Sequence, residues 1–161
     1  MSRAVRFVKM QGLGNDYLYI AAKRTPRGIA EMARRMSDRH FGAGADGIIL
    51  ILPSKKGDFR MRIFNADGSE GLMCGNGIRC VGKYVFDRGL TKKTELTIET
   101  AAGPRRLRLY PHGRTADLVS VDMGTAAVSA ERTVDLPGHG PVNCVPVSVG
   151  NPHAVVFVPD A

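Results

Sequence analysis

The sequence predicts a mixed α+β fold built from many short strands and two helices. Nine prolines, 19 glycines and no tryptophan indicate frequent turns. Several segments alternate apolar and polar residues with a period of two, the pattern of strands that bury one face. Two other segments place apolar residues on one helical face. A hydrophobic content of 43% suffices for a globular core, and 161 residues allow one domain or one and a part.

The first half of the chain is predicted to contain one helix and four strands. Thr25 followed by Pro26 is typical of a helix start, and the helical spacing continues to about Ser37. The apolar face of this helix consists of Ile29, Met32, Ala33 and Met36. The strands are predicted at residues 5–10, 17–22, 48–52 and 58–64. The first two are joined by the turn at 11–16, so they form a hairpin.

The second helix is predicted from about Asn76 to Arg88, where Gly89 supplies the stop. Its apolar positions at helical spacing are Ile78, Val81, Gly82 and Val85. Strands follow at residues 94–100, 105–110, 118–123, 142–149 and 154–158. The break at 111–114 predicts a domain boundary nearby, so that one domain spans residues 1–115 and the incomplete start of a second spans residues 116–161.

Cys74 stands in a glycine-rich turn that opens the second helix. Free backbone N–H groups of a first helical turn, with the positive end of the helix dipole, stabilise a carboxylate or the thiolate of the cysteine itself. Such a cysteine can act as a base. The alternative is a small buried residue beside an ordinary Asn-Gly turn.

Three motifs in this order resemble the diaminopimelate epimerase family. They are MQGLGNDY at residues 10–17, FNADGSEGLMCGNGIR at 64–79 and GNPH at 150–153. The similarity spans nearly all of the chain. Family members continue for roughly as many residues again, and that further part carries a second catalytic cysteine.

The resemblance implies a strongly curved, mostly antiparallel sheet wrapped around a central helix, as the first of two similar domains. It implies an isomerase that interconverts LL- and meso-diaminopimelate in lysine and peptidoglycan precursor synthesis. The family needs neither pyridoxal phosphate nor another cofactor, because two cysteines transfer the α-proton. A homodimer is implied for the complete protein.

The family's site residues can be carried over where the motifs match. Cys74 corresponds to the first catalytic cysteine. The substrate-binding positions are Asn15, Asn65, Gly75, Asn76 and Asn151. For Asn15 and Asn151, a purely structural role in a turn is the alternative.

The segment 42–47 has the glycine spacing of a dinucleotide-binding turn, but it follows a helix and leads into a strand, which is the reverse of the order that such a turn needs. No cofactor site is therefore predicted there. In many family members a glutamine in this loop reaches the substrate. Gly47 occupies that place here, so the contact is left unassigned.

The net charge of +8 raises the question of nucleic-acid binding. Arginines at 105, 106 and 108 alternate with Leu107 and Leu109, which is typical of a half-buried strand with a solvated face. No nucleic-acid-binding motif accompanies the charge. We therefore expect a small-molecule partner and no nucleic acid.

Three further features of the sequence concern membrane insertion, secretion and metal binding. No apolar run is long enough to span a bilayer, and the N-terminal residues lack the apolar region of a secretory signal. The three cysteines lack metal-site spacing and suggest free thiols, so no metal is predicted and a cytoplasmic location is expected.

Because the resemblance covers only the amino-terminal portion of the family, we expect this chain to be inactive alone. Cys80 lies on the helix body, and Cys144 lacks a glycine turn, so neither is a good second base. Two alternatives remain open at this stage. One is a non-catalytic small-molecule-binding fragment of the same fold, and the other is a related proline racemase-type isomerase.

Overall fold

The computed structural model describes residues 4–159 and divides the chain into two compact units, one up to Asp122 and the other from Met123. The helices are α1 (Ile29–Ser37) and α2 (Gly75–Asp87). The strands of the first unit are β1 (Val8–Gly12), β2 (Asn15–Ala21), β3 (Gly47–Leu52), β4 (Phe59–Asn65), β5 (Glu70–Gly71), β6 (Glu95–Thr100), β7 (Gly103–His112) and β8 (Thr115–Val121). Those of the second unit are β9 (Ala127–Val128), β10 (Arg132–Leu136), β11 (Gly140–Ser148) and β12 (Pro152–Val155).

The first unit is a curved sheet around α2, with strand order β1-β2-β3-β4-β6-β7-β8 and β5 paired to β4. The pairs β2/β3 and β4/β6 are parallel, and the others are antiparallel. Helix α2 contacts β1 and β2 near one edge and β7 and β8 near the other, because the sheet bends around it. The predicted α+β class and the wrapped sheet are confirmed.

Strand β3 is buried along its whole length because a helix covers each face of the sheet at this point. Ile48, Leu50 and Leu52 belong to a cluster that includes Ala33 of α1. Ile49 faces the opposite side, where a Cβ at Gly77 of α2 would lie 2.5 Å from its Cδ1. The hydrophobic run of β3 is therefore explained by burial on both sides.

Helix α1 begins at Ile29, three residues later than the Thr25-Pro26 pair predicts, so that prediction is wrong. Gly28 caps the helix in a left-handed conformation, with φ of 66°, and no side chain caps it. The hydroxyl of Thr25 instead accepts a hydrogen bond from Nη1 of Arg62 at 2.8 Å. The side chain of Thr25, which the local pattern predicts as the helix cap, is therefore hydrogen-bonded to β4 instead.

The second unit is a four-stranded antiparallel sheet in which β11 pairs with β9, β10 and β12. Cys144 lies on β11, the longest of these strands with nine residues, and is buried. The sequence predicts a boundary between residues 115 and 116, whereas the compact units divide after Asp122. The difference arises because residues 113 and 114 form the turn of the β7–β8 hairpin, which keeps β8 with the first unit.

Candidate active site around Cys74

Cys74 is the N-cap residue of α2. Its backbone is extended, with φ of −140° and ψ of 108°, and its sulfur accepts a hydrogen bond from the backbone N–H of Gly77 at 3.2 Å. The helix begins at Gly75, one residue before the predicted start. The N–H groups of a first turn have no partner inside the helix, so the sulfur and any bound anion can accept from them. The residue is half-buried rather than sealed in the core.

Asn15 lies on the other side of the sulfur. The thiol of Cys74 donates to Oδ1 of Asn15 at 3.3 Å. Asn15 is the first residue of β2 and follows a tight hairpin turn in which Leu13 and Gly14 both have positive φ. Gln11 stabilises this turn, since its Oε1 accepts from the N–H of Gly14 at 3.0 Å. The two residues, 59 positions apart in the chain, thus meet at the mouth of α2.

A group of charged residues that the sequence analysis missed supports Asn15. Nδ2 of Asn15 donates to Oδ2 of Asp46 at 2.7 Å, and the N–H of Asp16 donates to the same oxygen at 3.0 Å. Arg39 bridges the carboxylates of Asp46 and Asp16, with Nη2 at 2.9 Å and 2.7 Å. Its guanidinium is the main reason why the pKa of Asp16 falls from 3.8 to about 2, and Lys9 adds to this effect.

Tyr17 is a second neighbour that the sequence analysis did not single out. It is buried, and its hydroxyl interacts with both Asn15 and Cys74. Burial, with a contribution from Cys74, raises the pKa of Tyr17, so the hydroxyl stays protonated at neutral pH. The strand pattern could have placed it on the same face as Tyr19, whose hydroxyl donates to the carbonyl of Gly77 at 3.3 Å.

The other two cysteines lie in different surroundings. Cys80 is buried on the body of α2, and its thiol donates to the carbonyl of Gln11 at 3.6 Å. Burial raises the pKa of this thiol, mainly by desolvation. Cys144 is buried in the second unit. Of the three thiols, Cys74 is therefore the one with both solvent access and a backbone N–H donor.

The remaining predicted residues of the first unit lie at the start of α2 and at the end of β4. Gly75 and Asn76 are the first two residues of α2, and the Oδ1 of Asn76 accepts from Nη2 of Arg79 at 2.8 Å. Asn65 ends β4, where its Nδ2 donates to the hydroxyl of Ser69 at 3.0 Å. The N–H of the next residue donates to the carbonyl of Asp46 at 2.9 Å. Asn65 is thus tied to the same loop that supports Asn15.

Gly47 pairs directly with Asn65. A Cβ at this position would lie 2.2 Å from the carbonyl oxygen of Phe64 and 2.9 Å from the ring of Tyr17. The close approach of the strands leaves no room for a side chain here, so Gly47 makes no side-chain contact with a ligand.

Asn151 lies in the second unit, in the turn between β11 and β12. Its carbonyl accepts from the N–H of Val149 at 3.4 Å, and Gly150 has a positive φ of 103°. Within residues 4–159, no three His, Cys, Asp or Glu side chains are grouped to hold a metal ion. In the same range, no helix has the length and apolarity needed to cross a membrane.

Comparisons with known proteins identify relatives at the sequence level. A profile of the family described as diaminopimelate epimerase matches residues 7–129. A diaminopimelate epimerase of Acetivibrio thermocellus is 50% identical, with 96% of this chain and 60% of the relative aligned. One of Bacteroides thetaiotaomicron is 48% identical over 99% of this chain and 60% of the relative. The chain thus spans about 60% of the length of these curated relatives.

Solved structures share the fold at lower sequence identity. A probable proline racemase of Agrobacterium radiobacter matches with a TM-score of 0.77 and 20% identity, over 96% of this chain and 52% of that chain. A hydroxyproline epimerase of Agrobacterium vitis matches with a TM-score of 0.75 and 18% identity, over 94% and 51%. These likenesses concern the fold alone. The family follows from the sequence matches: the chain belongs to the diaminopimelate epimerase family.

Proposed function

We propose that this chain is the amino-terminal part of a cofactor-independent epimerase that interconverts LL- and meso-diaminopimelate, with Cys74 as one of its two acid–base groups. The observation that carries the proposal is the position of the Cys74 sulfur, between the N–H of Gly77 at 3.2 Å and the amide oxygen of Asn15 at 3.3 Å. Membership of the family supports the choice of reaction and substrate.

The chemistry begins with removal of the α-proton of the amino acid. An α C–H is a very weak acid, so a base must be held against it and the charge that develops must be stabilised. The thiolate of Cys74 takes the proton, and the electron pair left on the α-carbon delocalises into the carboxylate. The N–H groups of Gly75 and Asn76 lie in the first turn of α2, where they can donate to that carboxylate.

Inversion requires a second group that returns a proton to the opposite face of the α-carbon. Cys80 is unsuited because it is buried on the body of α2, where its thiol already donates to the carbonyl of Gln11. Cys144 is buried as well. We propose that the second group is a cysteine in the part of the relatives' length that these residues do not span.

The rest of the assignment follows from the same proposal. Asn15, Asn65 and Asn151 would contact the substrate through their side chains. No cofactor and no metal take part, and the pathway is the lysine and peptidoglycan precursor route. The complete protein would be a cytoplasmic homodimer that binds neither nucleic acid nor membrane.

The test is exchange of the α-proton of diaminopimelate in D2O, followed by NMR and mass spectrometry. The chain should introduce deuterium at the α-carbon without inverting it, since it carries one base only, and Cys74→Ala should lower the exchange rate at least about 100-fold, as expected for loss of a general base. Cys80→Ala is the matched control on the same helix and should keep most of the rate.

Two results would contradict the proposal. One is exchange that survives in Cys74→Ala, because the base would then be another group. The other is the absence of exchange in the chain when folding is shown to be intact by circular dichroism, because the proton removal proposed for Cys74 would then not take place in these residues. Proline, tested in parallel, should not exchange, whereas exchange of proline alone would favour a proline racemase-type reaction.

A further inference from the structure

Asp46 holds the side chain of Asn15 in one orientation. Nδ2 of Asn15 is 2.7 Å from Oδ2 of Asp46, and the backbone N–H of Asp16 donates to the same oxygen at 3.0 Å. An ionised carboxylate accepts hydrogen bonds and cannot donate them. The atom of Asn15 that faces Asp46 must therefore be the amide nitrogen, and the amide oxygen must face the other way.

The other side of the Asn15 amide is occupied by the sulfur of Cys74. Since Oδ1 faces this sulfur at 3.3 Å, the contact is a hydrogen bond that the thiol donates. If the amide rotated by half a turn, Nδ2 would face the sulfur and would donate to a thiolate instead. The orientation of one amide thus decides whether Asn15 stabilises the protonated or the ionised form of Cys74.

Asp46 is itself fixed by the surrounding backbone. Its N–H donates to the carbonyl of Asp16 at 2.8 Å, and its own carbonyl accepts from the N–H of Ala66 at 2.9 Å. Arg39 donates to the second carboxylate oxygen, Oδ1, at 2.9 Å. Both oxygens of Asp46 are occupied, so its side chain cannot turn away from Asn15 without breaking charged hydrogen bonds.

The tight loop before Asp46 explains the glycine-rich segment 42–47. A Cβ at Gly42 would lie 2.4 Å from the carbonyl oxygen of Arg35 and 2.7 Å from that of Met36. Gly44 has a positive φ of 70° and lies close to Arg39. These glycines let the chain turn sharply after α1, which brings Asp46 to Asn15 and Arg39 to Asp46. The segment is thereby assigned a role other than nucleotide binding.

We propose that Asp46 is a positioning residue, which acts through Asn15 to keep an acceptor rather than a donor against the sulfur of Cys74. The thiol proton then points toward Oδ1 of Asn15 in a hydrogen bond when no substrate is bound. The catalytic meaning of this arrangement rests on the proposed function, because it concerns the sulfur that would exchange a proton with the substrate. The effect on the thiol itself does not depend on any substrate.

The test measures alkylation of the three cysteines by iodoacetamide at pH 7, with mass spectrometry of each cysteine-containing peptide. Asp46→Ala frees the Asn15 amide to turn its Nδ2 toward the sulfur, so Cys74 should react on the order of fivefold faster, as one hydrogen bond allows. Asp46→Asn keeps an acceptor oxygen for Asn15 and for the N–H of Asp16, so Cys74 should react within about twofold of the unmodified rate.

The Asp46→Asn variant separates orientation from charge. If the negative charge of Asp46 alone restrained the thiol, both variants would speed up alkylation equally, and the proposal would be wrong. A rate of Cys74 that does not change in Asp46→Ala would also overturn it. Cys80 and Cys144 should remain slow in every variant, and a rise of Cys80 alongside Cys74 would make Asp46 a residue of general folding and contradict the positioning role.

A double-variant cycle tests whether Asp46 acts through Asn15. In an Asn15→Ala background, the further change Asp46→Ala should leave the alkylation rate of Cys74 unaltered, because the amide that Asp46 orients is gone. Additive effects of the two changes would refute the proposal. Failure of the exchange assay with diaminopimelate would refute the proposed function, but it would leave these alkylation rates as they are, so the two failures are distinguishable.

Discussion

Two cysteines six residues apart, Cys74 at the N-cap of α2 and Cys80 on its body, differ in burial and in the hydrogen bonding of the sulfur. Cys74 caps the helix, is half-buried and has a backbone N–H on its sulfur at 3.2 Å. Cys80 is 7% exposed on the helix body, where burial raises the pKa of its thiol. The same residue type on the same element is therefore a candidate base in one place and a packed side chain in the other.

The difference arises from the hydrogen bonding of the helix itself. Along the helix body, each backbone N–H donates to the carbonyl four residues earlier, so a side chain such as Cys80 finds no free donor there. In the first turn, the N–H groups have no such partner, and one of them donates to Cys74. The surroundings of the Cys74 sulfur are therefore set by the first turn of α2 and by the β1–β2 turn that presents Asn15.

The largest expected effect is a difference in thiol reactivity between the two positions. Iodoacetamide at pH 7 should modify Cys74 at least about 100-fold faster than Cys80, because Cys74 is accessible to the reagent, whereas burial shields Cys80 and raises the pKa of its thiol, which lowers the fraction of reactive thiolate. The measurement is the rate of mass increase of each cysteine-containing peptide.

Unfolding in urea supplies the control for this comparison, since both thiols should then react at similar rates. Equal and slow labelling of Cys74 and Cys80 in the folded chain would contradict the assignment of Cys74 as a base. It would favour the alternative of a binding fragment that retains the fold.

Two glycines on α2 allow the helix end to be perturbed separately from its body. A Cβ at Gly77 would lie 2.5 Å from Cδ1 of Ile49 and 3.3 Å from the sulfur of Cys74, whereas one at Gly82 would lie 2.9 Å from Cδ2 of Leu107. Each change to alanine should lower the free energy of unfolding by about 1 kcal/mol, because overpacking outweighs the gain in helix propensity.

The two variants should differ in the alkylation rate of Cys74. Gly77→Ala should slow alkylation of Cys74 about tenfold, since it displaces the N–H donor that stabilises the thiolate. Gly82→Ala should leave that rate unchanged, as the helix end is intact. An equal slowing in both variants would mean that loss of stability, rather than the N–H contact, controls the reactivity of Cys74.

The helix end was the part of the site that the sequence could predict. The glycine turn, the apolar spacing after it and the stop at Gly89 are local signals, and the predicted start was one residue from the observed one. Other local patterns predict strands of the first unit: alternation indicates β4, β6 and β7, and a continuous apolar run indicates β3. The roles carried over to Asn15, Asn65, Gly75, Asn76 and Asn151 remain predictions.

The parts that escaped prediction depend on contacts between distant residues. Asp46 meets Asn15 across 31 positions, and nothing in the segment 42–47 indicates that its carboxylate faces an amide. Arg62 donates a hydrogen bond to the hydroxyl of Thr25, so this hydroxyl does not cap the helix that the local pattern predicts to start there. Strand β10 was missed although residues 137–138 form a Pro-Gly turn signal, because its alternation over five residues is weak.

The smallest expected effect concerns the charged residues around the helix end. Arg39 and Lys9 hold the pKa of Asp16 at about 2, below its ordinary value of 3.8. A carboxylate whose pKa is lower in the folded chain stabilises the fold above its unfolded pKa, and this contribution is lost as the pH falls toward about 2. Asp16→Asn should therefore lower the free energy of unfolding by about 1 kcal/mol at pH 7, since exposure of both basic partners weakens the ion pairs.

The pH dependence distinguishes this end of the helix from its body. Urea unfolding at pH 7, 4 and 3 should show the deficit of Asp16→Asn shrinking below about pH 4, because the carboxylate of the unfolded chain takes up a proton near its ordinary pKa of 3.8, while that of the folded chain stays ionised down to about pH 2. Val81→Ala on the helix body removes buried methyl groups and no charge, so its deficit of about 2 kcal/mol should stay constant over the same range. A deficit of Asp16→Asn that is equally constant would mean that Asp16 contributes through packing, and that the ion pairs at the helix end carry no stability of their own.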